Sequence, residues 1–81
     1  MLPTIGRVVH YQSYGTPGGE YLPEPRAAII TSVRENPDFV DLAVLNPTGM
    51  FFNQSVERAE EPTPGHWNWP PRVESTPVNG L

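Results

Sequence analysis

Residues 39–56 read FVDLAVLNPTGMFFNQSV, and this stretch decides the fold class. Both of its halves are rich in β-branched and aromatic residues, which favour strands. Between the halves, residues 46–49 (NPTG) form a turn sequence with proline where a type I turn prefers it. The stretch therefore predicts a β-hairpin in which Val40, Leu42 and Val44 share one face of a strand.

Three further short strands are predicted around this hairpin. Residues 5–11 (IGRVVHY) and 26–34 (RAAIITSVR) precede it and have the same strand-forming composition. A tight turn at residues 36–38 (NPD) leads into the hairpin. A brief closing strand at residues 66–69 ends at a Pro-Pro pair, because proline cannot donate to a sheet ladder.

The arrangement of these elements predicts an all-β protein. The 81 residues include eleven prolines and seven glycines, a content that opposes long helices. Five short strands, a long proline-rich loop at residues 12–25 and tight turns later predict a small five-stranded SH3-like barrel, with an OB-like barrel as the alternative. We expect one domain over residues 1–73 and a flexible C-terminal tail at residues 74–81. A core of this size is marginal, so a homo-oligomer is expected.

Composition excludes several function classes. The chain has no cysteine, so disulfides, thiolate metal sites and cysteine catalysis are excluded. Nine acidic residues against five arginines give a net charge of −4, which disfavours binding to duplex nucleic acid. No apolar run approaches the roughly 20 residues of a membrane helix, and no secretory signal pattern opens the chain. We therefore expect a cytoplasmic protein without a membrane partner.

Both tryptophans lie within residues 65–72, GHWNWPPR. Trp67 and Trp69 are two positions apart, so on a strand they point to the same face, with His66 and Asn68 on the other. Two indoles side by side would form an aromatic platform about 7 Å long, the size of a base or a proline-rich peptide turn. The alternative is that both indoles close the barrel or lie buried in a subunit interface, where tryptophan is enriched.

Arginine next to these aromatics suggests an anion site. Arg72 directly follows the tryptophans and Arg7 lies on the first predicted strand. A planar guanidinium binds phosphate with two hydrogen bonds, so either residue is a candidate phosphate contact. The alternative is surface pairing with Glu35, Glu57 or Glu74.

Three more side chains on or near the first strand complete the candidate ligand contacts: His10, Tyr11 and Tyr14. For His10, as for His66, a hydrogen-bonded structural role is the alternative, since their separation fits no metal-ligand spacing. No serine lies in a nucleophile-elbow motif and no glycine pattern cradles phosphate. No catalytic, metal or cofactor site is therefore predicted, and the chain is interpreted as a non-enzyme.

Two stretches resemble a group of small tailed-bacteriophage proteins. Residues 5–11 carry that group's Gly-Arg-x-Val-His-Tyr opening, and residues 65–73 carry its closing Trp-x-Trp-Pro-Pro-Arg element. An apolar middle strand at residues 27–33 also matches. The resemblance implies phage origin and the host cytoplasm, and it leaves the activity open.

The resemblance also suggests a function by analogy. Some small phage proteins without catalytic residues oligomerise and trap cyclic nucleotide signals of bacterial immunity between their subunits. We accordingly expect a homo-oligomer that sequesters a nucleotide-derived immune signal. A protein-interaction or virion-structural module using the Trp-x-Trp surface is the alternative. Regulation of a host polymerase or nuclease by mimicry of nucleic-acid charge is a third hypothesis, which the modest net charge disfavours.

Overall fold

The computed structural model describes residues 1–15 and 24–71, which form one antiparallel sheet and contain no helix. The strands are β1 (Val8–Gln12), β2 (Pro25–Val33), β3 (Phe39–Asn46), β4 (Gly49–Glu57) and β5 (Trp67–Asn68). Their spatial order is β4-β3-β2-β1-β5, and the sheet curls into a half-barrel. The predicted all-β class is confirmed, and the arrangement is consistent with a small SH3-like barrel.

Some sequence predictions lie outside these described residues. They concern most of the proline-rich loop, at residues 16–23, and the tail at residues 74–81. Within the described part of the chain, no helix has the length and apolar composition needed to cross a bilayer.

The hairpin that decides the fold forms as its sequence predicts. Asn46 pairs with Gly49 across the two-residue turn that joins β3 to β4. The preceding turn also forms, because the Phe39 N–H donates to the Asn36 carbonyl at 2.9 Å. The Asn36 side chain adds the predicted turn contact by accepting from the Asp38 N–H at 3.1 Å.

The first and last strands are shorter than the sequence predicts. The first strand begins at Val8 instead of residue 5, because the chain turns at residues 4–7. The Arg7 N–H donates to the Thr4 carbonyl at 3.2 Å, and Gly6 has φ +92°. A type II turn needs positive φ at its third position, which glycine adopts without strain. The closing strand β5 spans only two residues, because the His66 N–H is turned back onto Thr63.

The core lies on the concave face of the curled sheet. Its members on β2 and β3 take every second position along each strand, and the side chains of the cluster pack together: Val9, Ala28, Ile30, Val40, Leu42, Val44, Val56 and Trp67. The predicted shared face of Val40, Leu42 and Val44 is confirmed, since all three are buried. With only eight cluster members, this core has little reserve against the loss of its largest side chain.

Two β-bulges flank Asp41 and bend the sheet. The β2–β3 register shifts between Ile30 and Ser32, and the β3–β4 register shifts between Val40 and Leu42. On β4, Ser55 takes a left-handed conformation with φ +54°. Its N–H donates to the Asp41 carboxylate at 2.8 Å, and Arg34 donates to the same oxygen at 2.6 Å. Bulges increase local twist, so Asp41 helps to hold the curl.

Acid is expected to weaken this bulge. The Ser55 N–H and then Arg34 stabilise the ionised carboxylate, so they lower the pKa of Asp41 below its ordinary value. Stability from Asp41 is therefore fully present above the unfolded-state pKa of about 3.9 and is lost as pH falls through the lower folded-state pKa. Urea denaturation from pH 6 down to pH 2 should show a smaller acid-dependent loss for Asp41→Asn than for the wild type. Identical pH profiles for the two proteins would contradict the assignment.

Candidate functional site

Trp67 lies in the core and offers no surface to a ligand. Its side chain is 0% exposed and is the largest fully buried one in the described residues. The indole N–H donates to the Asp38 carbonyl at 3.0 Å, which satisfies its polar atom. This is the barrel-closing alternative, and a ligand could reach the ring only if the core opened.

Trp69 meets Trp67 edge-on and holds Arg7 on its face. The two ring centroids are 5.3 Å apart with an interplanar angle of 81°, so the expected flat platform of two indoles is wrong. The Arg7 guanidinium carbon lies 5.4 Å from the Trp69 centroid in a cation–π contact. A base could stack on that face only by displacing Arg7. Arg7 and Trp69 are therefore brought together, but as partners of each other.

The two predicted tyrosines line a groove beside the core, and Tyr11 is the β1 residue that pairs with Trp67 of β5. This cavity of about 340 Å³ is bordered by residues from β1, β2 and the β3–β4 hairpin, among them Tyr11, Tyr14, Arg26, Asn46, Phe51 and Asn53. We call it the tyrosine groove. Tyr11 is partly buried against the core, whereas Tyr14 is 71% exposed and lies over Gly65. The groove is therefore lined by one aromatic ring that packs against the core, Tyr11, and by one that is open to solvent, Tyr14.

Arg26 places a positive charge in this groove. It pairs with Tyr11 in the β1–β2 register, and its side chain is only 7% exposed. Its Nη1 donates to Glu24 at 2.9 Å, and Glu24 is itself about half exposed. Phe51 of β4 borders the same cavity. The result is a guanidinium beside aromatic side chains, the combination expected of a base-and-phosphate site.

The Tyr11 hydroxyl stays neutral at physiological pH. Burial, and then the neighbouring Tyr14, raise the pKa of Tyr11 above its ordinary value, and a hydrogen bond with the Asn53 side chain partly offsets the rise. A neutral phenol can donate a hydrogen bond to an anion.

A second cavity adjoins the tyrosine groove along the open side of the half-barrel. This cavity of about 560 Å³ shares Tyr11, Tyr14 and Asn53 with the first. Its other borders are Gly65 and the β4 edge from Phe52 to Val56. The two cavities therefore form one continuous cleft between β4 and the β1 side of the sheet.

The remaining predicted contacts lie elsewhere. His10 precedes Tyr11 on β1 and, by strand alternation, points to the opposite face of the sheet. Arg72 lies outside the described residues. Arg34 of the segment after β2 forms a surface ion pair with Asp41 at 2.6 Å. His66 Nδ1 lies 3.2 Å from the Pro64 carbonyl, as the structural interpretation of this histidine expects.

Sequence reasoning missed Arg26 and Phe51 as site residues. A signal for Arg26 was present: it alternates with Ala28 and Ile30, so strand periodicity alone places it on the core face. A charged residue at such a position needs a polar cavity or a partner. Phe51 gave no such signal, because both faces of residues 50–52 are apolar.

Comparisons with known proteins add no relative. No protein-family model, no curated protein and no solved structure matches this chain. In residues 1–15 and 24–71, no cluster of three or more histidine or acidic side chains could hold a metal ion. The tyrosine groove is the candidate site on its own geometry.

Proposed function

We propose that this chain is a non-catalytic binding protein that sequesters a small nucleotide-derived signal in the tyrosine groove. The observation that supports the proposal is the placement of Arg26 beside Tyr11, Tyr14 and Phe51 in one cavity. Aromatic side chains stack on bases, and a guanidinium binds phosphate. The resemblance to phage proteins supports a role in the infected host cytoplasm, where such a signal would be an immune messenger.

The size of the cleft suits a nucleotide. The tyrosine groove, at about 340 Å³, is at the lower end of the range of small-molecule sites, about 300–1,000 Å³. It would hold one base with its sugar and phosphate. A cyclic dinucleotide would extend past Tyr11 and Tyr14 into the adjoining cavity of about 560 Å³.

Glu24 would compete with an anionic ligand for Arg26. Its carboxylate already accepts from the guanidinium, and its exposure lets it turn away into solvent. Binding of a phosphate then exchanges one charge-assisted hydrogen bond for another. Removing the Glu24 charge should therefore favour the ligand.

Isothermal titration with cyclic dinucleotides and cyclic ADP-ribose isomers tests the proposal. We expect binding by the wild type and a loss of about 5- to 150-fold in Tyr14→Ala, because stacking contributes about 1–3 kcal/mol per base. Glu24→Gln should bind several-fold more tightly. The matched control is Ile5→Ala, which removes an equally exposed apolar side chain from outside the groove and should leave affinity unchanged.

Three outcomes would reject the proposal. They are flat heats for every nucleotide with the wild type, unchanged affinity in Tyr14→Ala, or weaker binding in Glu24→Gln. Flat heats would show that the protein does not bind these nucleotides. Either of the other two results would show that the tyrosine groove is not the binding site.

A protein-interaction or virion-structural module is the second candidate function. It is favoured by the exposure of three successive large apolar residues on β4, Met50, Phe51 and Phe52. Such patches mark association surfaces in soluble proteins. With Trp67 buried, β4 replaces the Trp-x-Trp element as the anchor. Detection of the protein in purified virions by mass spectrometry would favour this candidate over sequestration.

A further inference from the structure

The two edges of the sheet differ in how they are protected. At the β5 edge the strand is two residues long, Pro70 and Pro71 follow within three positions, and the Ala59 N–H donates to the Trp67 carbonyl at 2.9 Å. These devices prevent another strand from pairing there. The β4 edge has none of them over its first five residues, 49–53, which precede the bulge at Ser55.

Backbone groups at the β4 edge face away from the sheet. Asn46 pairs with Gly49 next to a two-residue turn, so in antiparallel pairing the hydrogen-bonded pairs continue as Val44 with Phe51. The N–H and C=O groups of Met50 and Phe52 must then point outward. Among the described residues, no other backbone group bonds to them.

The same segment is apolar and uncharged. Met50, Phe51 and Phe52 are all more than half exposed, and Phe52 reaches 73%. From Gly49 to Val56 no residue carries a charge, although each chain has a net charge of −4. A two-fold axis brings the same strand of two copies together, so a strand carrying charges of one sign would repel its equivalent and this strand would not.

We propose that two copies of this chain pair antiparallel through their β4 edges, with the two-fold axis at Phe51. Phe51 is the midpoint of the bulge-free segment at residues 49–53. In this register Met50 of one copy lies opposite Phe52 of the other, which pairs the outward-facing backbone groups. It also brings a thioether against an aromatic ring on each side of the axis.

The pairing would join the ligand sites of the two copies. Phe51 borders the tyrosine groove, so at the axis each groove would receive Phe51 of the second copy beside its own. This deepens the proposed homo-oligomer by assigning its interface. It does not depend on the ligand, because the contact uses only groups of the protein.

The expected dimer is of moderate strength. The exposed parts of Phe51 and Phe52 supply roughly 250 Å² of apolar surface per copy, since a phenylalanine buries about 150–250 Å² in full. With Met50 and the strand backbone, the total remains below about 1,200 Å², the range of transient complexes. Dissociation should therefore be visible on dilution in the micromolar range.

Sedimentation equilibrium of ligand-free protein from about 5 to 500 μM provides the first test. We expect the wild type to shift from monomer to dimer over this range. Phe52→Lys should remain monomeric and folded, because the side chain is exposed and lysine is a residue that protects natural strand edges. The matched control Ile5→Lys changes a similarly exposed apolar residue of the segment before β1, from which β2 and β3 separate β4, and it should dimerise like the wild type.

Crosslinking tests the register. The chain has no cysteine, so each introduced thiol is the only one present. Under mild oxidation, Phe51→Cys should form a disulfide-linked dimer, because antiparallel neighbours at the axis lie within disulfide range. Ile5→Cys should not.

The proposal is overturned by a wild type that is monomeric at every concentration. It is equally overturned by a dimer that persists in Phe52→Lys, or by crosslinking at residue 5 and not at residue 51. Met50→Lys should also be monomeric, because Met50 is an exposed residue of the same edge, and it borders neither cavity. Nucleotide titration of this variant separates the two proposals, because a ligand site can fail without loss of the dimer and the reverse also holds.

Discussion

Replacing Trp67 with alanine is expected to destabilise the protein by about 3–5 kcal/mol, the cost typical of a buried tryptophan. The side chain is fully buried and packs against the core, and its N–H donates to the Asp38 carbonyl. The variant would lose the packing and one of the two hydrogen bonds that the Asp38 carbonyl accepts, the other coming from the Arg58 N–H at 2.8 Å. Small domains are stable by only about 5–15 kcal/mol, so Trp67→Ala should be largely unfolded on mild heating.

Thermal and urea denaturation followed by circular dichroism would measure this loss. A domain of this size loses about 4–8 °C in Tm per kcal/mol, which makes the effect easy to resolve. Trp67→Phe should be milder because it keeps an aromatic ring in the cavity. The matched surface control is Ile5→Ala, a change at an exposed apolar residue outside both the groove and the proposed dimer edge, expected within about 0.5 kcal/mol of the wild type. Equal midpoints for Trp67→Ala and the wild type would show that Trp67 lies outside the core.

Gly65→Ala is expected to have the second largest effect, a loss of about 1–2 kcal/mol. Gly65 has φ +82°, a conformation that costs a residue with a Cβ roughly 1–2 kcal/mol. An added Cβ would also lie against the Tyr14 phenol, 2.7 Å from Cζ and 3.0 Å from Cε2. Tyr14 must therefore move away from Gly65, and this movement alters the tyrosine groove.

A double-mutant cycle separates the two causes. In a Tyr14→Ala background the overlap is gone, so Gly65→Ala should cost less there than in the wild type. The remaining loss would report the backbone conformation alone. Urea denaturation of the four proteins gives the coupling energy, and full additivity would mean that Tyr14 does not lie over Gly65 in solution. Nucleotide affinity should fall in Gly65→Ala as well, since Tyr14 is a proposed stacking residue.

Binding in the proposed site should depend on the stability of the core. Its aromatic side chains come from β1, from the segment after β1 and from β4, while its charge comes from β2. Because these elements pack on one small core, a variant that weakens the core should weaken binding too. Affinities of groove variants should therefore be compared only at temperatures where each variant is shown to be folded.

The sequence by itself determined the local elements of this protein. The Asn-Pro turns at residues 36–38 and 46–49 and the buried face of β3 follow from turn chemistry and strand alternation, which act between near neighbours. They form as predicted. Gly6 could likewise have indicated the type II turn at residues 4–7, because glycine readily adopts the positive φ that this turn requires. The β-branched residues around it led instead to the prediction of a strand.

Only the tertiary structure decided which side chains meet. Strand alternation places Trp67 and Trp69 on the same face and does not distinguish them. Closure of the half-barrel nevertheless buries Trp67, whereas Trp69 contacts Arg7. Arg26 meets Tyr11 through the β1–β2 register, across a loop of more than ten residues. Register and closure depend on how distant strands bury their faces together, and a single strand's pattern does not contain that information.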